Sequence, residues 1–507
     1  MKKLFLLVCI LSLIGCGGDE SDGHNGSRSF TGHSSLTFWA MNLTTSSYTP
    51  YKIMANLAGE GTHCYVYLES GRFVNPATIQ NILTQFDTVI YPKMRNAYGD
   101  EPNPGIDNDP KIYILLLDIK DGWNGITITG YTAGYFYSLD QYENQTLPIN
   151  MRHSNEKDIF YMDITPGLTH AGLTQFTHTL AHEFQHMIHW NNKNGDDDWL
   201  DEAMSEVAPF YAFGTTSSDR VEDFKNLNHS DSLTDWGPGN NGYGTLADYA
   251  VAYMWAQYMA DRFPGDVFRN IISGPGIGTG SVDNYLTNLG GGENFESVFL
   301  DWSRAIFFGN GSVSNPVSTT NALWKYNSIN TWSGNPRSLF NFSSIGHLNV
   351  SSFNALDRWS LGYYHWNNAS LIGSFTWNTT VANHASLYTS GLFTPDHLPT
   401  AASGIPGTYL ILQNAQNIKL SPSILPSPDS GWISATQQSA PPTPMEKLQI
   451  FSQQRKAAKS KSSLMRMDAT QGDNSNQSDA DEPIPVCMHD ILSRRVKEIT
   501  RQNQDAH

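Results

Sequence analysis

Two histidines and a glutamate stand at the spacing of a metal-binding helix in the stretch His182-Glu183-Phe184-Gln185-His186. Residues four positions apart on a helix lie one above the other, so the imidazoles of His182 and His186 can point at one ion. Neutral imidazole is a good zinc ligand. Glu183 can reach a water at that ion without occupying a ligand position. The stretch predicts a zinc centre with Glu183 as general base, whereas the alternative is two histidines that only line a helix surface.

A catalytic zinc ion needs three protein ligands and one open position. Glu202 is the predicted third ligand, because the loop after His186 is long enough to fold a second helix back across the first. Asp201 and Glu206 remain alternatives, and Glu206 could instead hydrogen-bond a zinc-bound histidine. Acidic residues are also favoured at the start of a helix, which could explain any one of these carboxylates without a metal.

Two more histidines flank the motif. His178 lies four residues before His182 and could form a rival pair with it, but no acidic residue stands beside His178 to serve as a base. His189 follows the motif on a nearby helix face. We interpret both as packing residues or as hydrogen-bond partners of the ligands.

A second, weaker cation site is expected at Asp107-Asn108-Asp109. Oxygen-bearing side chains at alternate positions are typical of calcium loops. The other ligands of a recognisable calcium loop are missing, and acidic turns are common without a metal. Calcium is therefore a secondary expectation.

The elements that must position these residues follow from hydrophobic periodicity. Apolar residues recur three and four apart over Leu173–Asn191, which predicts a long amphipathic helix around the motif. The continuous apolar runs Lys111–Asp118 and Ile159–Asp163 are typical of buried strands. Further helices are predicted over Ala77–Asp87, Trp199–Phe213, Tyr249–Phe263 and Phe295–Phe307.

The N-terminus has the pattern of an export signal. Lys2 and Lys3 precede the apolar run Leu4–Ile14, which is too short to span a bilayer. The run ends in a sequence similar to a bacterial lipobox, with Cys16 at the position that is lipidated. We expect an exported lipoprotein, tethered by Cys16 to the outer membrane or cell surface. The alternative is an ordinary signal peptide that is cleaved nearby.

Composition and charge exclude other classes. Hydrophobic residues make up 39% of the 507 residues and charged residues 16%, which favours a globular chain. A formal net charge of −17 argues against nucleic-acid binding, which requires a basic surface. Cys9 lies in the signal and Cys16 is the predicted lipidation site, so only Cys64 and Cys487 remain, and neither a disulfide scaffold nor a thiolate metal site is expected.

The segments Thr179–Trp190 (TLAHEFQHMIHW) and Trp199–Glu206 (WLDEAMSE) closely resemble the hyicolysin family of bacterial zinc metallopeptidases, which are zincins with glutamate as third ligand. The resemblance extends over roughly residues 60–310. Asp201 stands where that family usually has Asn, and Ala203 where it usually has Gly. Neither change removes a ligand, although Asp201 adds a charge beside the metal.

The resemblance implies zinc-dependent hydrolysis of peptide bonds in proteins or peptides. It implies His182, His186 and Glu202 as ligands of one zinc ion, and Glu183 as the base that takes a proton from the attacking water. A surface adhesin or binding module that retains a zincin fold is the alternative, but such a protein has no need of Glu183. An aminopeptidase would need a site for the substrate's amino terminus, and no such site is recognisable in the sequence. This alternative is therefore not favoured.

The oxyanion that forms during hydrolysis needs a further hydrogen-bond donor besides the metal. Related zincins supply it from a downstream Tyr or His. Tyr249 is the candidate here, with Tyr243 and Tyr253 behind it.

The predicted fold class is α+β. A zincin-like catalytic domain with a mixed sheet and active-site helices is followed by a smaller β-sandwich-like domain and a disordered tail. The predicted segments are a signal peptide (1–15), a tether (16–35), the zincin-like domain (36–310), a linker (311–344), the β-rich domain (345–436) and a mostly disordered tail (437–507).

Overall fold

The computed structural model describes most of the chain up to residue 332 and shorter pieces beyond it. The described residues are 33–44, 48–126, 130–226, 231–237, 245–312, 315, 317–332, 343–344, 356, 358–365, 373–377, 385–389, 392–394, 401–404, 409–415, 424–425 and 484–487. The predicted signal peptide, the lipobox residue Cys16 and Tyr243 lie outside them, as does most of the predicted tail. No helix in the described ranges is both long enough and apolar enough to cross a membrane.

A seven-stranded mixed sheet forms the centre of the protein, with the strand order β1-β2-β3-β4-β6-β5-β15. Strands β3, β4 and β6 are parallel to one another, and β5 is antiparallel to β6. The bounds are β1 Ser35–Asn42, β2 Thr49–Glu60, β3 Cys64–Glu69, β4 Ile112–Leu117, β5 Gly130–Phe136, β6 Ile159–Asp163 and β15 Ile484–Cys487. The two buried strands predicted from apolar runs are confirmed as β4 and β6.

Both faces of the central strands are covered, which explains their unbroken apolar runs. On one face Ile114 and Phe160 join a large core shared with the helices. On the other face Leu115 and Tyr161 join a second, tyrosine-rich core with residues of β1 and β2. The sheet therefore places the ends of β5 and β6 directly under the helical layer.

The described residues contain ten α-helices. They are α1 Pro76–Gln85, α2 Tyr91–Tyr98, α3 Gly172–Lys193, α4 Asp198–Glu206, α5 Ala208–Phe213, α6 Ser218–Asn226, α7 Thr245–Arg262, α8 Val267–Ser273, α9 Thr279–Asn288 and α10 Phe295–Phe308. The long helix predicted over Leu173–Asn191 is confirmed as α3. The helix predicted over Trp199–Phe213 is interrupted at Val207 and forms α4 and α5. Pro209 at the start of α5 has no N–H to continue the ladder of α4.

Strands also dominate the region after the helices. They form a five-stranded sheet, β11-β10-β13-β8-β7, and a three-stranded sheet, β12-β9-β14. Their bounds are β7 Ser343–Ser344, β8 Ser360–His365, β9 Gly373–Trp377, β10 Ala385–Thr389, β11 Leu392–Thr394, β12 Ala401–Gly404, β13 Tyr409–Asn414 and β14 Ile424–Leu425. The buried Tyr363 of β8 donates its hydroxyl hydrogen to the carbonyl of Ser303 in α10 at 2.7 Å. The predicted α+β class, with a second β-rich part, is confirmed.

Candidate metal centre

Helix α3 carries the histidine motif through the interior of the protein. Residues from Leu180 to His189 are all buried, because α3 packs between the sheet and the other helices. The helix can approach β5 closely at Gly134. A Cβ atom there would lie 2.9 Å from the carbonyl oxygen of Tyr161 and 3.2 Å from Cγ2 of Thr179 on α3. The motif is therefore held against the sheet by close packing.

Three side chains converge on one point between α3 and α4. Nε2 of His182 lies 3.1 Å from Nε2 of His186. Oε2 of Glu202 lies 3.5 Å from the first of these atoms and 3.6 Å from the second. A tetrahedral zinc ion with bonds of 2.0–2.1 Å to its ligands requires ligand atoms roughly 3.3–3.4 Å apart. The triangle therefore fits one zinc ion with little adjustment.

These three residues have the ligand atoms that lie close enough together to share one ion. Among the residues that the structure describes, His182, His186 and Glu202 form the group of three potential ligands within 4.8 Å of one another, and all three are buried. The chemistry of the set, two imidazoles and a carboxylate, is that of a catalytic zinc site. The described residues place Glu202 in this group, rather than Asp201 or Glu206.

Asp201 determines the orientation of His186. Its Oδ1 atom lies 3.0 Å from Nδ1 of His186. Because an ionised carboxylate only accepts hydrogen bonds, the proton of the imidazole must be on Nδ1. The lone pair of Nε2 then points toward His182 and Glu202. A carboxylate that fixes the tautomer in this way is typical of zinc-bound histidines.

His189 forms the next step in the same network. Its Nδ1 lies 3.0 Å from Oδ1 of Asp201, and its Nε2 lies 3.0 Å from Oδ2 of Asp196. Burial alone would lower the pKa of His189, but the two carboxylates outweigh it and raise the pKa to about 9. Although burial raises the pKa of Asp201, His189 and His186 hold it well below its usual value. The sequence indicates His189 as a possible partner of a ligand, whereas no residue pattern indicates Asp196.

Glu206 occupies a different place from the three converging residues. Its Oε1 lies 3.8 Å from Nδ1 of His182, which is too long for a hydrogen bond. Its carboxylate is bound by Arg220, whose Nε and Nη2 atoms lie 2.6 and 2.9 Å from its two oxygens. Arg220 could not be predicted from the sequence, because no motif distinguishes it from the other charged residues of α6.

Glu183 lies between the two histidines on α3 and is fully buried. Its Oε2 atom accepts a hydrogen bond from the backbone N–H of Phe136, at the end of β5, at 2.9 Å. The sheet therefore holds the carboxylate of the predicted base in one place. Glu183 could be predicted from the motif, but the donor that holds it could not. A backbone N–H group is present in almost every residue and leaves no pattern in the sequence.

Two of the three tyrosine candidates, Tyr249 and Tyr253, lie on α7, which packs against α4. Tyr249 is buried, and the guanidinium carbon of Arg220 lies 5.0 Å from the centre of its ring. The hydroxyl of Tyr253 accepts a hydrogen bond from the backbone N–H of Ser217 at 2.8 Å. Tyr249 thus contacts the Arg220–Glu206 pair next to His182, whereas the hydroxyl of Tyr253 is used to hold the loop before α6.

The side chains of His178 and of the expected calcium residues Asp107 and Asp109 contact other parts of the protein. The ring of His178 packs 5.3 Å from that of Phe213, and burial lowers its pKa. Asp107 accepts a charged hydrogen bond from Lys157 at 2.9 Å, and Asp109 accepts one from the hydroxyl of Tyr65 at 3.0 Å. The expectation of calcium at residues 107–109 is therefore not supported, since these oxygens already bind protein donors.

Part of the chain is similar in sequence to a known metalloprotease. Over 266 residues the chain is 29% identical to the neutral metalloprotease ShpI of Staphylococcus hyicus. The alignment covers 49% of this chain and 57% of that protein, so the chain spans little more than half of the relative's length. No protein-family model matches the chain.

Proposed function

We propose that this protein is a zinc-dependent peptidase with its active site between α3 and α4. The observation that carries the proposal is the triangle of ligand atoms from His182, His186 and Glu202, 3.1–3.6 Å apart. The similarity to a neutral metalloprotease supports the same activity from an independent direction. Protein or peptide substrates follow from that similarity.

His182, His186 and Glu202 would hold the zinc ion, which would supply Lewis acidity to the attacking water and the scissile carbonyl. The chain's own contribution to proton transfer is Glu183. We propose that its carboxylate accepts a proton from the attacking water and delivers it to the leaving amine. The hydrogen bond from the N–H of Phe136 keeps one carboxylate oxygen in place, so that the other can face the reacting atoms.

We further propose a hyicolysin-type endopeptidase, on the basis of the segments Thr179–Trp190 and Trp199–Glu206. The alternative of an adhesin or binding module is not favoured by the similarity to a metalloprotease. A binding module also does not explain why Glu183 is fully buried beside two converging histidines. Burying a carboxylate costs free energy, which favours a functional role for this group.

Lipid anchoring at Cys16 is part of the proposal and is supported by the N-terminal sequence alone. Expression in a bacterial host with labelled palmitate tests it. Incorporation of label into the wild-type chain and its loss in Cys16→Ser would support an anchor. Label in neither chain would contradict it and leave the catalytic proposal unaffected.

The test of the peptidase proposal combines metal content with activity. We expect about one zinc per purified chain, hydrolysis of casein and of internally quenched peptides, loss of hydrolysis with a chelator, and recovery when zinc is added back. A chain that contained zinc but cleaved neither substrate would contradict the peptidase proposal. A chain that cleaved casein equally well after complete zinc removal would contradict the mechanism.

A further inference from the structure

A continuous chain of hydrogen bonds runs from a remote loop to His186. The backbone N–H of Gly278, just before α9, donates to Oδ1 of Asp196 at 2.6 Å. Oδ2 of Asp196 lies 3.0 Å from Nε2 of His189. Nδ1 of His189 and Nδ1 of His186 each lie 3.0 Å from the same oxygen of Asp201. The last contact reaches a predicted metal ligand.

We propose that Asp196 and His189 are positioning residues of the metal centre, which set the orientation of His186 through Asp201. This inference rests on the proposed function, because it takes His186 to be a metal ligand. Asp201 alone could turn about its side-chain bonds and still accept a hydrogen bond from His186. With His189 bound to the same oxygen, only one orientation of the carboxylate satisfies both imidazoles.

Burial makes this chain of contacts difficult to replace. Asp196 is 4% exposed and His189 is 1% exposed. Water therefore has little access to replace a missing hydrogen-bond partner. A buried polar group without a partner destabilises the folded protein. After the loss of His189, the Asp201 carboxylate would turn toward another donor, and His186 would lose the fixed acceptor of its Nδ1–H group. The metal site would then lose the fixed geometry on which tight binding depends.

The backbone at the remote end is suited to holding Asp196. Gly278 has a φ of +53°, a conformation that residues with a side chain rarely adopt. A Cβ atom at Gly278 would lie only 1.9 Å from Oδ2 of Asp197. A glycine is thus required for the loop to approach Asp196 and Asp197 so closely. Asp196 also accepts a hydrogen bond from the N–H of Asp197 at 3.0 Å, so its carboxylate is held from two sides.

The competing explanation is that the His189–Asp196 pair only stabilises the fold. The two explanations differ in what happens to metal affinity once stability is accounted for. His178 provides a matched control on the same helix, since its ring packs on Phe213. Replacing either histidine by glutamine removes an imidazole from α3, but only His189→Gln interrupts the chain to His186.

The experiment uses the full chain and measures zinc binding rather than hydrolysis. The zinc dissociation constants of wild type, His189→Gln, Asp196→Asn and His178→Gln are obtained by competition with a chromogenic chelator. The unfolding temperature of each metal-free protein is measured in parallel. We expect His189→Gln and Asp196→Asn to weaken zinc binding roughly 10–100-fold and His178→Gln to leave it within about twofold. The visible spectrum of the cobalt-substituted protein should change in the first two variants only.

The outcomes separate this inference from the proposed function. Zinc affinity within about twofold of wild type in both His189→Gln and Asp196→Asn would overturn the positioning role, while wild-type zinc binding and hydrolysis would still support the peptidase. A wild-type chain that bound no zinc would overturn the proposed function itself. If His189→Gln does not fold, Asp196→Asn decides by the same measurement, since it preserves the shape of the side chain.

Discussion

The backbone N–H of Phe136 donates a hydrogen bond to Oε2 of Glu183 at 2.9 Å, although the two residues are 47 positions apart in the chain. Phe136 ends strand β5, and Glu183 lies on α3 between His182 and His186. The contact joins the sheet to the middle of the predicted catalytic motif. It gives Glu183, the proposed general base, a fixed position beside the two histidines.

Replacement of Glu183 by glutamine should abolish hydrolysis without loss of the metal. Glutamine can still accept the hydrogen bond from Phe136 through its amide oxygen, but it cannot take a proton from water. We expect kcat to fall at least 10²–10⁴-fold, the usual contribution of a general base. Metal analysis should still find about one zinc per chain. Casein cleavage by Glu183→Gln at the wild-type rate would rule out the assigned base.

Glu202 and Glu206 should differ in their effect on zinc retention. Glu202→Ala removes a corner of the ligand triangle, whereas Glu206→Ala removes the partner of Arg220. We expect Glu202→Ala to weaken zinc binding by more than the roughly 10–100-fold that is typical when a hydrogen-bond partner of a ligand is lost. Glu206→Ala should weaken zinc binding less than this, because the Glu206 carboxylate lies 3.8 Å from Nδ1 of His182, too far for a hydrogen bond. The reverse order in chelator competition would move the third ligand to Glu206.

Tyr249→Phe should lower kcat if its hydroxyl stabilises the oxyanion. Loss of one such donor typically reduces kcat about 10²–10³-fold. KM should change little, because the interaction forms mainly in the transition state. Tyr253→Phe is the matched control, since its hydroxyl accepts the N–H of Ser217. Equal kcat values for wild type and Tyr249→Phe would remove Tyr249 from the mechanism.

Gly134→Ala should destabilise the protein, because the added methyl group would lie 2.9 Å from the carbonyl oxygen of Tyr161. Such overpacking typically costs about 1–3 kcal/mol. Urea unfolding of the metal-free protein measures this loss. Gly195→Ala is the control, since a Cβ atom there meets nothing within 4 Å. A Gly134→Ala protein as stable as Gly195→Ala would show that β6 and α3 can both move away from the added methyl group without cost.

Asp158 should make stability depend on pH. Burial, with smaller contributions from Asp107 and Glu101, raises its pKa to about 7. The folded protein therefore keeps the carboxyl group protonated at pH 5, where the unfolded chain has already lost the proton. Stability should fall as pH rises toward 7 and then level off, because the folded state must ionise a buried group.

The Asp158→Asn variant lacks this titration. Between pH 5 and pH 8 the wild type should lose roughly 2–3 kcal/mol of unfolding free energy that the variant does not lose, since one pKa unit corresponds to about 1.4 kcal/mol. Urea unfolding of the metal-free proteins at the two pH values measures the difference. The exposed Asp266 provides the control substitution Asp266→Asn. A stability difference between Asp158→Asn and wild type that is the same at both pH values would contradict the raised pKa.

The local sequence was sufficient to predict those features of the protein that depend on residues close together in the chain. The spacing of His182 and His186 indicates two ligands on one helix, because the helix period alone brings residues four apart together. The apolar runs around Ile114 and Phe160 indicate buried strands for a similarly local reason. The α+β class could thus be predicted from the pattern of elements, and the break at Val207 could have been predicted from Pro209.

Only the tertiary structure decided which distant groups meet the motif. Four groups reach the region of α3 from separate parts of the chain. They are Phe136 of the sheet, Asp196 of the loop before α4, Gly278 of the loop before α9 and Arg220 of α6. Two of these contacts are made by backbone N–H groups, which every residue except proline possesses. No pattern of side chains can therefore reveal them, and their role depends on positions that are set by packing across the whole domain.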